Sequence, residues 1–262
     1  MRKQRRGRCT SSRRSSGTAP DVDPQYAASY AAIARSHWWW RARELAIMRE
    51  VRRLRQGMPR GRILDVGCGD GVHFGALAGF GDVAGIEADA ATLDPAGRWR
   101  QQIHVAPFQA PLPIRGPFDL ILFLDVIEHL DDPVAALVLA RSVLAPQGAV
   151  LVTVPALPWL WTSHDDLNHH RRRYTRSTLA ADFAAAGLEL ERMRYLFHSL
   201  VPAKLAVRVI ERVRRSRPAP PRVPPAPFNA IAGMIVAAEM FLLAPVSRLL
   251  PGTSLLAVAR SP

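Results

Sequence analysis

The chain has 262 residues, a formal charge of +13 and 48% hydrophobic side chains, enough apolar content for a packed core and too much for wholesale disorder. The first twenty residues carry seven Arg and Lys and no acid; without them 28 basic residues stand against 22 acids, a body near +6 that gives little support to a nucleic-acid partner. The two cysteines, Cys9 and Cys68, form neither a metal spacing nor a disulfide framework, which fits a reducing, cytoplasmic location.

Residues 1–22 are Arg/Ser-rich and are predicted to be a disordered basic tail. No apolar run follows the arginines, so the tail does not have the form of a secretory signal. The remainder, 23–262, is predicted to be one domain. It begins with a helical segment over 23–58, in which apolar residues and arginines interleave without a breaker. "RILDVG" then reads as a buried strand, "GVHFGALAGF" as a helix, "DVAGIEAD" as a second strand and "QQIHVAPF" as a short third one. "PFDLILFLDV" is apolar throughout, as a strand covered on both faces should be. "DPVAALVLARSVLAPQG" is predicted to be an amphipathic helix ending at Pro146 and Gly148, and "AVLVTVP" a fifth strand. This strand–helix alternation from 62 to 154 predicts βαβ units and a mostly parallel sheet.

Past Pro155 the pattern breaks into a polar, aromatic and basic stretch, 156–176, that reads as an insertion on the acceptor side. "STLAADFAAAG" is predicted to be a helix capped by Ser177 or Thr178 and stopped at Gly187, and "LELERMRYLF" a strand. A basic helix and a proline-rich linker occupy 202–228. The apolar run that follows, over 229–250, is predicted to be a buried helix leading into the closing strand "TSLLAVAR".

The stretch "GRILDVGCGDGVHFGALAGFGDVAGIEAD" carries the chemistry. A strand, a glycine-rich turn and a helix place backbone N–H groups where a ligand can meet them. Gly67 and Gly69 supply the first two glycines of a dinucleotide fingerprint, but Val72 holds the third position and the next glycine comes one residue early, at Gly71. Glu87 closes the second strand twenty residues after Gly67, placed to accept from two ribose hydroxyls. A nucleoside cofactor follows from this order. A nicotinamide-dependent oxidoreductase shares the sheet and the acid, with Val72 against it. A catalytically silent nucleoside-binding protein at the membrane surface is a second alternative.

Asp65, Gly67, Gly69 and Gly71, followed by Glu87 and then "FDLILFLDVIEHLDDP", resemble the motifs of class I S-adenosylmethionine-dependent methyltransferases, in the branch that includes the ubiquinone-biosynthesis enzymes. The resemblance covers roughly 60 to 155. It implies an α/β, Rossmann-like fold with a seven-stranded, mostly parallel sheet and helices on both faces. It also implies S-adenosyl-L-methionine as cofactor. The loop from Gly67 through Cys68 and Gly69 to Gly71 would lie against the methionine half, Asp65 would be among the cofactor-binding residues, Glu87 would hold the ribose, and Leu124 and Asp125 would close the other side. Members often carry an Asp after the third strand to meet the adenine. Here that stretch is "VAPFQAP", which leaves Phe108 or Gln109 to cover the base.

"HDDLNHHRRRYT" sets His169 and His170 just past the fifth strand, at the edge of the sheet where ligands bind. Histidine suits proton transfer near neutral pH, so His169 or His170 is expected to be the base for an acceptor hydroxyl. No ligand spacing on a helix face predicts a metal. "HWWWRAR" and the same His-rich segment also resemble some bacterial methyltransferases associated with envelope glycan or glycolipid pathways. That resemblance implies Trp38, Trp39, Trp40 and 169–174 as a pocket lid, and the tryptophans read equally as a core anchor. His129 is expected either to face the cofactor or to pack between helices. The expected acceptor is a small molecule, or a lipid- or glycan-linked one. The basic amphipathic helix with the apolar one after it also suits a place on an anionic membrane surface.

Overall fold

A computed structural model describes residues 36–214, 223–243, 245–247 and 249–262. The expected basic tail, the first part of the helical segment and the first part of the proline-rich linker lie outside the described residues.

Seven strands form one sheet in the order β3-β2-β1-β4-β5-β7-β6. They are β1 (Gly61–Val66), β2 (Gly81–Glu87), β3 (Ile103–Val105), β4 (Phe118–Leu124), β5 (Leu144–Pro155), β6 (Glu189–Leu196) and β7 (Ser254–Arg260). The first five run parallel, and β7 inserts antiparallel between β5 and β6. Strand β1 lies between β4 and β2, in register with Leu120–Phe123 of β4 on one side and with β2 on the other. The chain leaves β1 in opposite directions to β2 and β4, so a crevice opens at the carboxyl ends of these strands.

The central strands read as continuous apolar runs because both sheet faces are covered. One face buries Leu64, Ile121, Phe123 and Val152 beneath α3 (Pro133–Ser142) and α5 (Arg176–Ala185). The other buries Ile63, Leu120, Leu122 and Val258 beneath α1 (Trp38–Arg55). Helix α1 starts at His37, whose ring accepts the Trp39 N–H at 3.1 Å, and carries Arg52, Arg53 and Arg55 in its last turn, where the helix dipole favours cations.

Several elements depart from the sequence expectations. The helix expected over 71–80 shrinks to one turn, α2 (Phe74–Leu77), because Gly71 and the residues after it stay in the loop. Helix α3 stops at Ser142 rather than at Pro146, and Leu144 already pairs with Phe118 of the sheet. The cap of α5 is Thr175, which exchanges side-chain bonds with Thr178, so the helix starts earlier than Ser177 or Thr178 would set it. Gly187 does follow that helix, at φ +70°.

The largest correction concerns the apolar run after the linker. It folds as α7 (Ala226–Leu242), but only Val236 and Glu239 are buried. Helix α1 covers one side of α7, and the outward side remains exposed. No helix among the described residues is long and apolar enough to cross a membrane.

Candidate functional site

The carboxyl ends of β1, β2, β4 and β5 surround one cavity of about 1190 Å³. That exceeds the roughly 300–1,000 Å³ typical of a site for one small ligand, and gives room for two side by side.

At one end stands the glycine loop. Gly67, Gly69 and Gly71 all have positive φ, between 52° and 72°. A Cβ on Gly67 would meet Val126 at 2.6 Å, whereas a Cβ on Gly69 would meet nothing within 4 Å, because Gly69 opens into the cavity. The loop amides turn inward: Gly67 and Cys68 donate to Ile86 O, Gly71 to Cys68 O, and Gly69 to Glu87 Oε2 at 2.8 Å. A loop whose amides are committed this way does not cradle a pyrophosphate, which argues against a dinucleotide. Glu87 lies at the end of β2, with Oε2 on Gly69 N–H and Oε1 on Asp89 N–H at 2.9 Å. Each oxygen keeps a lone pair for a ribose hydroxyl. Burial raises the pKa of Glu87, with the Asp89, Gly69 and Ala88 N–H groups opposing the shift.

Asp65 sits beneath the loop, buried, with Oδ2 free of any hydrogen bond. Burial pushes its pKa up to about 7, with the Arg43 charge opposing and the Glu87 charge adding. An aminoacyl ammonium is the kind of group that would satisfy it. Across the crevice, Leu124 and Asp125 line the wall. Asp125, at φ 58°, is held by Arg43 of α1 at 2.8 Å and by Thr153 Oγ1 at 3.0 Å. Helix α1 thus reaches the site through Arg43 as well as through its tryptophans.

One of the expected cofactor contacts needs correction. Phe108 packs edge-to-face on Phe123 at 5.4 Å in the core and does not line the cavity. The wall beyond Glu87 is made instead by Asp89, Leu93 and Trp99, which the Asp70–Asp94 bond draws toward the loop. Cys68 lines the cavity as part of the loop, while its side chain packs with Phe74 and Ile103 and burial raises its thiol pKa.

At the other end, His170 Nδ1 lies 2.9 Å from Asp165 Oδ1. Asp165 is fully buried in α4 (Ser163–Leu167), where it also meets Arg173 at 2.8 Å and caps Thr162. Burial alone would raise its pKa, but the His170 hydrogen bond and the Lys204 and Arg173 charges carry it well below the usual carboxylate range. The ionised carboxylate then accepts Nδ1–H and leaves Nε2 of His170 as an acceptor. His170 also meets His129 edge-on at 4.9 Å. Burial lowers the pKa of His129 to about 4, so it is neutral near pH 7.

His169 does not share this place. Its φ of 53° turns it to an exposed position, and it does not line the cavity. Tyr174 is likewise no lid residue: it is buried in the core beside its bridge to Ala156. The tryptophans combine both readings. Trp40 is buried, Trp38 and Trp39 pack on the α1 core, and all three face the cavity.

Two participants escaped the sequence reading. Glu128 is fully buried, lines the cavity and has both carboxyl oxygens free of hydrogen bonds; burial, with the Asp125 charge, raises its pKa well above normal. Lys204 reaches in from α6 (Leu200–Arg214), 3.9 Å from Asp165, and burial lowers its pKa to about 8. Glu128, His129 and His170 each bring a ligand-type atom within 4.8 Å of the others, a grouping that could hold a metal ion and that helix spacing did not reveal.

A sheet of this order, with an acid closing β2 and a glycine loop of inward-turned amides, defines a nucleoside-binding fold of the class I methyltransferase type. A family model described as a methyltransferase domain matches residues 39–192, more than half of the chain. The chain belongs to that family, and is an S-adenosyl-L-methionine-dependent methyltransferase. It is 26% identical over 209 residues to a ubiquinone biosynthesis O-methyltransferase of Acinetobacter baylyi, spanning 68% of this chain and 87% of that one. Among solved structures it is similar to phosphoethanolamine N-methyltransferase 2 of Haemonchus contortus in complex with S-adenosyl-L-methionine, with TM-score 0.58, 18% identity, and 94% and 61% of the two chains covered. A SAM-dependent methyltransferase of Archaeoglobus fulgidus gives TM-score 0.51 at 14% identity, over 84% and 94%. At these identities the structural likeness speaks for the fold alone.

Proposed function

We propose that the protein methylates a hydroxyl oxygen of a small, glycan or lipid-linked acceptor, with His170 as the base. The carrying observation is the Asp165–His170 pair, whose His170 lines the same cavity as Glu87 and the glycine loop while Asp165 is buried behind it. When bound, S-adenosyl-L-methionine supplies an electrophilic methyl group on a good leaving group. Glu87 would hold its ribose, and Asp65 its amino group. The acceptor would enter between Trp38, Trp39 and α6, where Leu200, Ala203 and Val207 give the cavity an apolar wall. Segment 156–176 would cover it. His170 Nε2 takes the proton that the hydroxyl loses as the O–C bond forms, and Asp165 holds the ring and stabilises the resulting imidazolium. The O-methyltransferase named among the relatives supports oxygen as the methylated atom.

The product tests this reading. With methyl-labelled cofactor and a detergent extract of cell lipids and glycans, the label should enter an alkali-stable methyl ether. Label in a methylamine, or label released by mild alkali as from an ester, would overturn the assignment.

A further inference from the structure

Helix α6 has two working faces. Leu200, Ala203, Lys204, Val207 and Glu211 line the cavity, while Leu205, Val209 and Val213, each four residues from the last, are exposed. Arg212, exposed, and Arg208, half-buried, flank that stripe on one side. The outward side of α7 exposes Phe228 (67%), Met234 (63%) and Leu242 (76%), and Leu249 (82%) continues it. Arg49 of α1 lies over the Phe241 ring at 5.0 Å.

The acids of these two helices are turned away from this surface. Glu211, the one acid of α6, accepts from Ser163 N and Oγ at 3.0 and 2.6 Å. Glu239, the one acid of α7, is buried and accepts from His198 N and Ser199 N at 2.5 and 2.7 Å. That bond ties the start of α6 to the end of α7. The outward faces therefore present apolar side chains and arginines without a carboxylate from either helix. Large apolar side chains on a cationic ground match an anionic bilayer, whose acyl region takes the one and whose headgroups take the other. A water-facing helix pair has no use for this pattern.

We propose that the outward faces of α6 and α7 seat the protein on the surface of an anionic membrane. The contact is interfacial, since no described helix is fit to span. Because the opposite face of α6 walls the acceptor side of the cavity, seating would hold that side about one helix diameter, ~10 Å, from the headgroups that would carry a lipid-linked acceptor. Delivery of such an acceptor rests on the acceptor reading above; the membrane contact does not.

Sedimentation of the full chain with vesicles tests it, using phosphatidylcholine alone against an equal mixture with phosphatidylglycerol. The expected result is partition at least about tenfold higher onto the anionic vesicles, falling with salt. Two double variants, Phe228→Ser with Leu242→Ser and Arg208→Glu with Arg212→Glu, should each lose about tenfold or more. Both should bind S-adenosylhomocysteine as the parent does, which shows that they fold. Absent or equal partition onto the two vesicle types, or variants that bind like the parent, would overturn the proposal. So would a dimer, seen by light scattering, that the apolar variant dissolves while vesicles are ignored. Methyl transfer to detergent-dispersed acceptors should be unchanged in both variants. If the parent lacks that transfer but binds vesicles, the acceptor reading fails and the membrane contact stands.

Discussion

Arg43 Nε lies 2.8 Å from Asp125 Oδ2, joining the N-terminal helix to the carboxyl end of β4. Another arm of the same guanidinium reaches Thr153 at 3.3 Å, and the Arg43 side chain is only 4% exposed. One cation thus serves a cluster that includes Asp65, Asp125 and Glu128, whose carboxyls all stand at the cavity. Helix α1 is therefore part of the site's electrostatics as well as its cover.

Replacing Arg43 with Ala should lower stability by roughly 2 kcal/mol, since it removes a charge-assisted bond to the part-exposed Asp125 and one to Thr153. Lys should recover little, because it lacks the fork that reaches both Asp125 and Thr153. Urea unfolding of the three proteins checks this.

Cofactor affinity should depend on pH through Asp65. Its pKa is raised to about 7, so it is increasingly protonated below that pH, while the aminoacyl ammonium of the cofactor favours the carboxylate. Binding then expels a proton, and affinity should fall by up to about tenfold per pH unit below 7 and level off above it. Titrations with S-adenosylhomocysteine from pH 5.5 to 8.5 measure the slope, and Asp65→Asn should flatten it.

The same residue has a stability consequence. A carboxyl with a folded pKa raised above its unfolded value costs stability as pH rises from about 4 toward 7. Cofactor-free Asp65→Asn should therefore melt a few degrees higher than the parent at pH 8, with the gap closing toward pH 4, at the expense of affinity. Scanning calorimetry at the two pH values decides it.

His170→Ala should cost on the order of 10²–10⁴ in kcat with cofactor affinity unchanged, the range expected for loss of a general base. His169→Ala, at an exposed position, should change kcat less than about twofold. Equal losses in the two would remove the Asp165–His170 pair from the chemistry.

The strands and the cofactor end were legible because both are written locally. Apolar runs such as "LILFL" mark strands covered on both faces, and Gly67, Gly69, Gly71 and Glu87 keep fixed spacings set by one turn and one strand. The acceptor end was not, because its members converge from distant parts of the chain. Arg43 of α1, Glu128 and Lys204 of α6 come to the cavity that His170 lines only once the sheet has formed, and the choice between adjacent His169 and His170 turns on a backbone φ that composition does not encode. Phe108 failed for a related reason, since an aromatic after β3 serves the core as well as it serves a base. Helix α7 misled because an apolar run reads as buried whatever covers it.

The most direct test is calorimetric titration of the protein and of Glu87→Ala with S-adenosylhomocysteine, S-adenosyl-L-methionine and NADH. The account predicts micromolar binding of the first two and none of NADH. It predicts a loss of about a hundredfold in the variant, where two hydrogen bonds to a charged acceptor disappear and the Gly69 and Asp89 amides lose their anchor. NADH binding, or cofactor affinity indifferent to Glu87, would contradict it.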